Sequence, residues 1–144
     1  MASTPMASAL IDASALVAVF GPNEPRADHY RELLMLAALE HWSLSTTWPC
    51  VTEASYLVPP PSRFEMLRWV GEGAVNVFPF EQRSLLDFAP LMLRYTERPR
   101  TEMDLADASL VWLAGETNVT TIMTQDKRDF SRYRLPDGRG FTIL

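Results

Sequence analysis

Four acidic residues carry most of the chemistry this sequence can offer: Asp12, Glu53, Asp107 and Asp126. Asp12 closes the apolar run Ser8-Ala9-Leu10-Ile11, which reads as a buried parallel strand. Asp126 follows the β-branched run Thr120 to Thr124 by two residues. Ligands of open parallel sheets bind beyond the carboxyl ends of the strands, so acids at two such ends can converge. The plain alternative for either residue alone is a helix cap or a turn. Asp107 falls in a segment, Met103 to Gly115, whose spacing predicts an amphipathic helix with Met103, Ala106, Leu110, Leu113 and Ala114 on its buried stripe. Asp107 borders that stripe, where a carboxylate costs more than a neutral residue, and Asp104 lies further round, one turn earlier. Favourable interaction with the helix dipole is the alternative account of both. Glu53 is the one charge between Cys50 and Val58. An acid in such a segment either turns outward or needs a hydrogen-bond partner, a cation or a raised pKa.

If these carboxylates share one site, they cannot all ionise side by side without compensation. Hard divalent cations with oxygen ligands, Mg²⁺ or Mn²⁺, are the natural compensation. Such ions polarise a phosphoryl oxygen, lower the pKa of a water and steady a leaving oxygen, which is the chemistry of phosphodiester hydrolysis.

The elements that must position these acids alternate between strand and helix. After the first strand, Ser14 to Phe20 has helical spacing, and Pro25 reads as the first residue of a second helix. Leu44 to Thr47 reads as a strand, and Pro49 opens a helix that carries Glu53. Ser62-Arg63-Phe64-Glu65 fits a capping box, and Val75 and Val77 alternate as a short strand. Glu81 to Tyr95 is helical in pattern, with Pro90 expected to kink or split it. Phe141 to Leu144 reads as a last strand. This order calls for a parallel sheet covered on both faces.

Composition narrows the class. At 144 residues the chain suits one domain, residues 1–144, since domains run to roughly 100–200 residues. With 47% hydrophobic and 22% charged residues, it is not wholly disordered. One cysteine, Cys50, rules out an intrachain disulfide and a cysteine zinc site. Met1 to Ala9 carries no Lys or Arg, and no run approaches the ~20 apolar residues of a membrane span, so a cytoplasmic protein is expected. A formal charge of −5 argues at first against nucleic acid. Yet residues 1–93 hold five arginines against ten acids, whereas residues 94–144 hold eight basic and eight acidic residues. If five of the 18 acids form a metal site, the remainder balances the 13 basic residues, and RNA is no longer excluded. A phosphatase of the haloacid-dehalogenase type needs a second aspartate two residues after the first, where this chain has Ser14. A receiver domain needs an acid pair that is missing. His29 and His41 sit on or near a helix patterned for packing.

Four segments together resemble the PIN-domain family, specifically the VapC-like toxin ribonucleases of type II toxin–antitoxin systems. They are Leu10-Ile11-Asp12-Ala13-Ser14-Ala15-Leu16-Val17-Ala18, Thr52-Glu53-Ala54-Ser55-Tyr56-Leu57, Met103-Asp104-Leu105-Ala106-Asp107-Ala108-Ser109-Leu110-Val111 and Thr124-Gln125-Asp126-Lys127-Arg128-Asp129-Phe130. The resemblance implies a three-layer α/β/α sandwich with a central parallel sheet of four to five strands. It implies a metal-dependent endoribonuclease in which Asp12, Glu53 and Asp107 are the core acids, Asp126 a fourth and Asp104 a further ligand. Ser14 and Thr124 would orient the acids. Asp129 would adjoin the site or pair with a nearby arginine. A cognate small antitoxin and a homodimer are also implied. Arg94, Arg98, Arg100, Lys127, Arg128, Arg132 and Arg134 are the candidates for holding RNA phosphates. The same fold also serves nucleases of RNA processing or DNA, and non-catalytic binding modules. Pro59-Pro60-Pro61 and a short leader, Met1 to Ala7, depart from the family pattern.

Overall fold

The computed structural model describes residues 7–144; of the expected leader, residues 1–6 lie outside the described residues. The elements in chain order are β1 (Ser8–Ile11), α1 (Ala13–Phe20), α2 (Ala27–Leu39), β2 (Ser43–Thr47), α3 (Trp48–Leu57), α4 (Ser62–Gly71), β3 (Asn76–Phe78), a 3-10 turn (Gln82–Ser84), α5 (Leu85–Arg94), α6 (Leu105–Thr117), β4 (Thr121–Met123), α7 (Lys127–Arg132) and β5 (Thr142–Ile143). The five strands form one all-parallel sheet in the order β3-β2-β1-β4-β5.

The order explains where a site can form. From β1 the chain adds β2 and β3 on one side, then crosses to add β4 and β5 on the other. The crevice beyond β1 and β4 is therefore the point where strand order reverses. Ile11 pairs with Met123, and the Asp12 amide donates to the Met123 carbonyl at 3.0 Å. Asp12 and Thr124 thus leave adjacent strands side by side. On β1, Ala9, Leu10 and Ile11 are all buried. Because successive strand residues face opposite ways, helices must cover both faces, which makes the fold a three-layer α/β/α sandwich. Truncating Leu10 to alanine at this centre would cost about 2–5 kcal/mol.

Four local expectations are corrected. The helix expected from Met103 begins at Leu105, and Asp104 is its cap: the Asp104 side chain accepts from the Asp107 amide at 2.8 Å. Nor is that helix amphipathic in the simple sense. Residues Ala106 through Val111 are all buried, so α6 packs in the interior and a single apolar stripe does not describe it. The Ser62 capping box does not form. Pro61 already holds helical backbone angles (φ −82°, ψ −10°), so Ser62 lies inside the first turn and makes no capping hydrogen bond. Finally, α5 runs unbroken through Pro90. The bond Pro90 cannot make is the one to the Leu86 carbonyl, and Leu86 is exposed, so water can serve that carbonyl. The short helix α7 gave no periodic signal; the Asp126 side chain starts it by accepting from the Asp129 amide at 3.4 Å.

Candidate active site

Strand ends and helix caps together build the site. Asp12 leaves β1 and caps α1: its Oδ1 accepts from the Ala13 amide at 2.7 Å. Its Oδ2 accepts from Ser14 Oγ at 3.0 Å and from Thr124 Oγ1 at 2.8 Å. Thr124 Oγ1 in turn accepts from the Asp126 amide at 3.0 Å, and Ser14 Oγ accepts from the Gln125 amide at 2.9 Å. Beneath them, buried Tyr30 donates to the Thr124 carbonyl at 2.7 Å. Two hydroxyls therefore fix the Asp12 carboxylate to the end of β4.

The opposite wall is the start of α6 together with α3, which supplies Glu53. Asp107 is only 8% exposed, and its Oδ2 accepts from Tyr133 Oη at 2.7 Å. Tyr133 is itself held edge-on by Tyr95 and Phe130, with ring centroids 5.1 and 5.0 Å away.

These walls enclose a cleft of about 180 Å³ into which seven acids project: Asp12, Glu53, Glu102, Asp104, Asp107, Asp126 and Asp129. Among the described residues, no lysine, arginine or histidine lines it. Burial and mutual repulsion raise the pKa values throughout. Burial, then the charges of Asp104 and Asp12, push Asp107 up to about 8, against the opposing hydrogen bond from Tyr133. Burial and the neighbouring Asp129 push Asp126 up to about 6. Burial raises Asp12 although three hydrogen bonds oppose it, and burial with the charge of Asp104 raises Glu53. Burial also pushes the Cys50 thiol, outside this cleft, up to about 12, as expected of a small packing residue.

Carboxylate oxygens of Asp107, Asp126 and Asp129 lie within 4.8 Å of one another. Asp12 is not one of this tight group; both its oxygens already accept hydrogen bonds. The donor set is all oxygen, crowded and anionic, with Arg132 touching it only at Asp129. It fits a hard divalent cation such as Mg²⁺ or Mn²⁺ and does not fit a soft metal.

The structure brings Asp12, Ser14, Glu53, Asp104, Asp107 and Asp126 to this one cleft, with Thr124 bonded beneath it. Sequence reasoning passed over Glu102 and Tyr133. Asp129 takes both roles considered for it: it faces the acid cleft, and its Oδ1 lies 3.3 Å from Arg132 Nη1. The basic residues divide. Arg94, Arg100, Arg128 and Arg132 converge on a neighbouring cleft of about 330 Å³. Arg98 instead pairs with Glu102 at 3.0 Å, and Arg134 turns its guanidinium to the Ser131 and Tyr133 carbonyls. Lys127 is exposed at the start of α7 and lines neither cleft.

The all-parallel sheet in this order, with helices on both faces, matches the fold of a VapC toxin of known structure. Among solved structures the chain is similar to the crystal structure of Mycobacterium tuberculosis VapC20, a Sarcin-Ricin loop cleaving toxin. The TM-score is 0.68 at 12% sequence identity, over 83% of this chain and 91% of that one. No protein-family model and no curated protein sequence matches the chain.

Proposed function

We propose that this protein is a metal-dependent endoribonuclease, the toxin of a type II toxin–antitoxin pair, and that it hydrolyses RNA phosphodiester bonds. The observation that carries the reading is the cleft itself: seven acids and no base, at the ligand-binding end of a PIN-like sheet. Asp12, Asp107, Glu53, Asp104 and Asp126 are the residues that would hold Mg²⁺ or Mn²⁺, and Asp129 joins them. A cation bound there supplies positive charge to the scissile phosphate and lowers the pKa of a nucleophilic water.

The chain's own residues hold that centre in shape. Ser14 and Thr124 fix the Asp12 carboxylate by donating to it. Tyr133 holds Asp107 from below and, by donating a hydrogen bond, favours its ionised form. Arg94, Arg100 and Arg128 would take RNA phosphates beside the cleft. They form no ion pair among the described residues, and Glu97 is the sole acid lining their cleft. Converging guanidiniums without carboxylate partners suit the bidentate geometry of phosphate. The neighbouring fold of VapC20, named as a Sarcin-Ricin loop cleaving toxin, supports RNA as the substrate class. A cognate small antitoxin, a homodimer and a cytoplasmic location belong to the same reading. Among the described residues no helix is long and apolar enough to cross a membrane.

The test is cleavage of structured RNA by the purified full chain with Mg²⁺ or Mn²⁺. Cleavage should vanish in EDTA and in Asp107→Asn. Expression alone should arrest growth, and co-expression of a small protein from an adjoining reading frame should relieve the arrest. RNA cleavage that persists undiminished in EDTA, or in Asp12→Asn, would overturn the metal assignment.

A further inference from the structure

A second cavity, of about 520 Å³, abuts the acid cleft and shares Glu53 and Asp104 with it as a common wall. Its character is opposite. Beyond those two acids its walls are Trp48, Pro49, Thr52, Phe80, Leu105 and Ala106. Nothing in the acid chemistry requires it.

Its parts are held firmly. Trp48 is the first residue after β2, and Pro49 fixes the opening turn of α3. Immediately below, buried Thr47 Oγ1 lies 2.6 Å from Ser109 Oγ of α6. Phe80 is braced edge-on by Phe88 and Trp112, at centroid distances of 5.0 and 5.9 Å. Yet Trp48 itself is 53% exposed. A large ring on a rigid base, left half in water at the mouth of an apolar hollow, is a stacking surface without a partner.

Charge selects the partner. The cavity has no cation, and two carboxylates stand on its shared wall, so a phosphate is repelled from it. A nucleobase is uncharged, flat and largely apolar on its face, with polar groups confined to its edge. Its face therefore matches aromatic and apolar walls. Single-stranded RNA is commonly read in this way, by stacking splayed bases on aromatic side chains. A strand whose phosphate enters the acid cleft carries its next base to one side of that cleft, and this cavity is on a side of the cleft. We infer that the Trp48–Phe80 cavity receives an unstacked nucleobase adjoining the scissile phosphate. The inference rests on the nuclease reading above.

The test uses the full chain and two fluorescein-labelled probes of matched sequence, an eight-nucleotide single strand and a perfect duplex. Wild type, Trp48→Ala and Trp48→Phe are compared for binding and for cleavage with Mg²⁺. Loss of one stacked base predicts about 5- to 100-fold weaker single-strand binding by Trp48→Ala. Trp48→Phe, which keeps a ring, should recover most of it, and duplex binding should be insensitive to both changes. Tryptophan emission should be quenched by the single strand in wild type, and that quenching should be lost in Trp48→Phe, although Trp42, Trp69 and Trp112 remain. Circular dichroism and melting temperature must match wild type, as an exposed side chain allows. If wild type neither binds nor cleaves any RNA, the nuclease reading fails. If wild type cleaves RNA and Trp48→Ala binds the single strand equally well, the nuclease reading stands and the base cavity is wrong. Equal loss on single strand and duplex, or a change in oligomeric state in place of a change in RNA affinity, also overturns it, the latter marking the face as an interface between copies.

Discussion

The acid cleft and the arginine cleft meet at one ion pair, Asp129 with Arg132 on α7, and they are built in opposite ways. The acid cleft is made by core elements: Asp12 from β1, the end of β4, and the first turn of α6. Its charges sit in a partly desolvated space, so burial and repulsion keep pKa values high and the fold stores unfavourable energy there. The arginine cleft is made by surface elements: the end of α5, the 94–101 turn and the outer side of α7. Its charges face solvent, where screening keeps repulsion small. The difference teaches that the first region holds its carboxylates against burial and one another, as the proposed cation site requires. The second is a cheap, tunable contact surface.

Direct removal of a cleft carboxylate should have the largest effect. Asp107→Asn keeps the size of the side chain and an acceptor for Tyr133 but removes the charge. Losing a ligand to a catalytic cation costs several kcal/mol of transition-state stabilisation, so RNA cleavage should fall ~10³-fold or more. Cleavage within tenfold of wild type would break the claim that this cleft does the chemistry. Thr124→Val should cost less, about 10- to 100-fold, because it removes no carboxylate, only the orienting hydrogen bond to Asp12 and the acceptor of the Asp126 amide. Since Asp12 keeps its bonds from Ala13 and Ser14, the variant should fold, and its loss should be partly offset by higher Mg²⁺ concentration. A loss that no Mg²⁺ concentration touches would show that Thr124 acts on something other than the cation site.

The stored repulsion should also be visible without RNA. Asp107 and Asp126 have folded-state pKa values of about 8 and about 6, above the ordinary ~4 of an unfolded aspartate. The native state therefore holds protons more tightly than the unfolded chain. Stability from these two groups is fully present below about pH 4 and is lost as pH rises through about 6 and then about 8. In EDTA the melting temperature should drop by several degrees or more between pH 5 and pH 8.5, since each unit of raised pKa carries about 1.4 kcal/mol. Millimolar Mg²⁺ should restore most of that loss, and Asp107→Asn should flatten the profile. A melting temperature that stays constant over this range in EDTA would mean that the cleft stores no such repulsion.

How far the sequence alone could be read follows the same division. Asp12, Glu53, Asp107 and Asp126 were legible because strands, helix openings and apolar runs mark their positions, and core elements then fix where they point. A parallel sheet covered on both faces was implied by the alternation of strand and helix; its strand order was not. Asp129 and Tyr133 were harder, because α7 is six residues long and the segment after it has no period. Tyr133 reaches Asp107 across 26 residues, which no local pattern encodes. Asp104 was placed inside its helix when it is the cap, since a cap and a first-turn residue share the same preference for aspartate. The arginines were visible as a group but not as a cleft. Arg94 and Arg100 meet because Glu97 and Thr101 exchange backbone hydrogen bonds, each 3.0 Å, and close a tight turn between them. Arg98, in the same turn, is turned instead to Glu102.

That turn supports the smallest effect. Arg94, Arg100 and Arg128 face one cleft, and each alone should contribute a single screened phosphate contact. Arg94 also lies 5.4 Å over the Tyr95 ring, which holds its guanidinium in place. Arg128→Ala should therefore weaken RNA binding only a few-fold at physiological salt and leave the cleavage rate of bound RNA unchanged. Its signature is the salt dependence: the slope of log affinity against log salt should fall by about one per arginine removed. Arg98→Ala is the internal control, because that guanidinium is spent on Glu102 and lines no part of the Arg94–Arg128 cleft. If the control lowers the slope as much as Arg128→Ala does, the arginine cleft has no special standing, and the contrast reduces to a charged site on an evenly basic surface. If only the cleft arginines lower it, and do so additively, the two regions divide the work: the acids set the rate and the arginines set the residence of the strand.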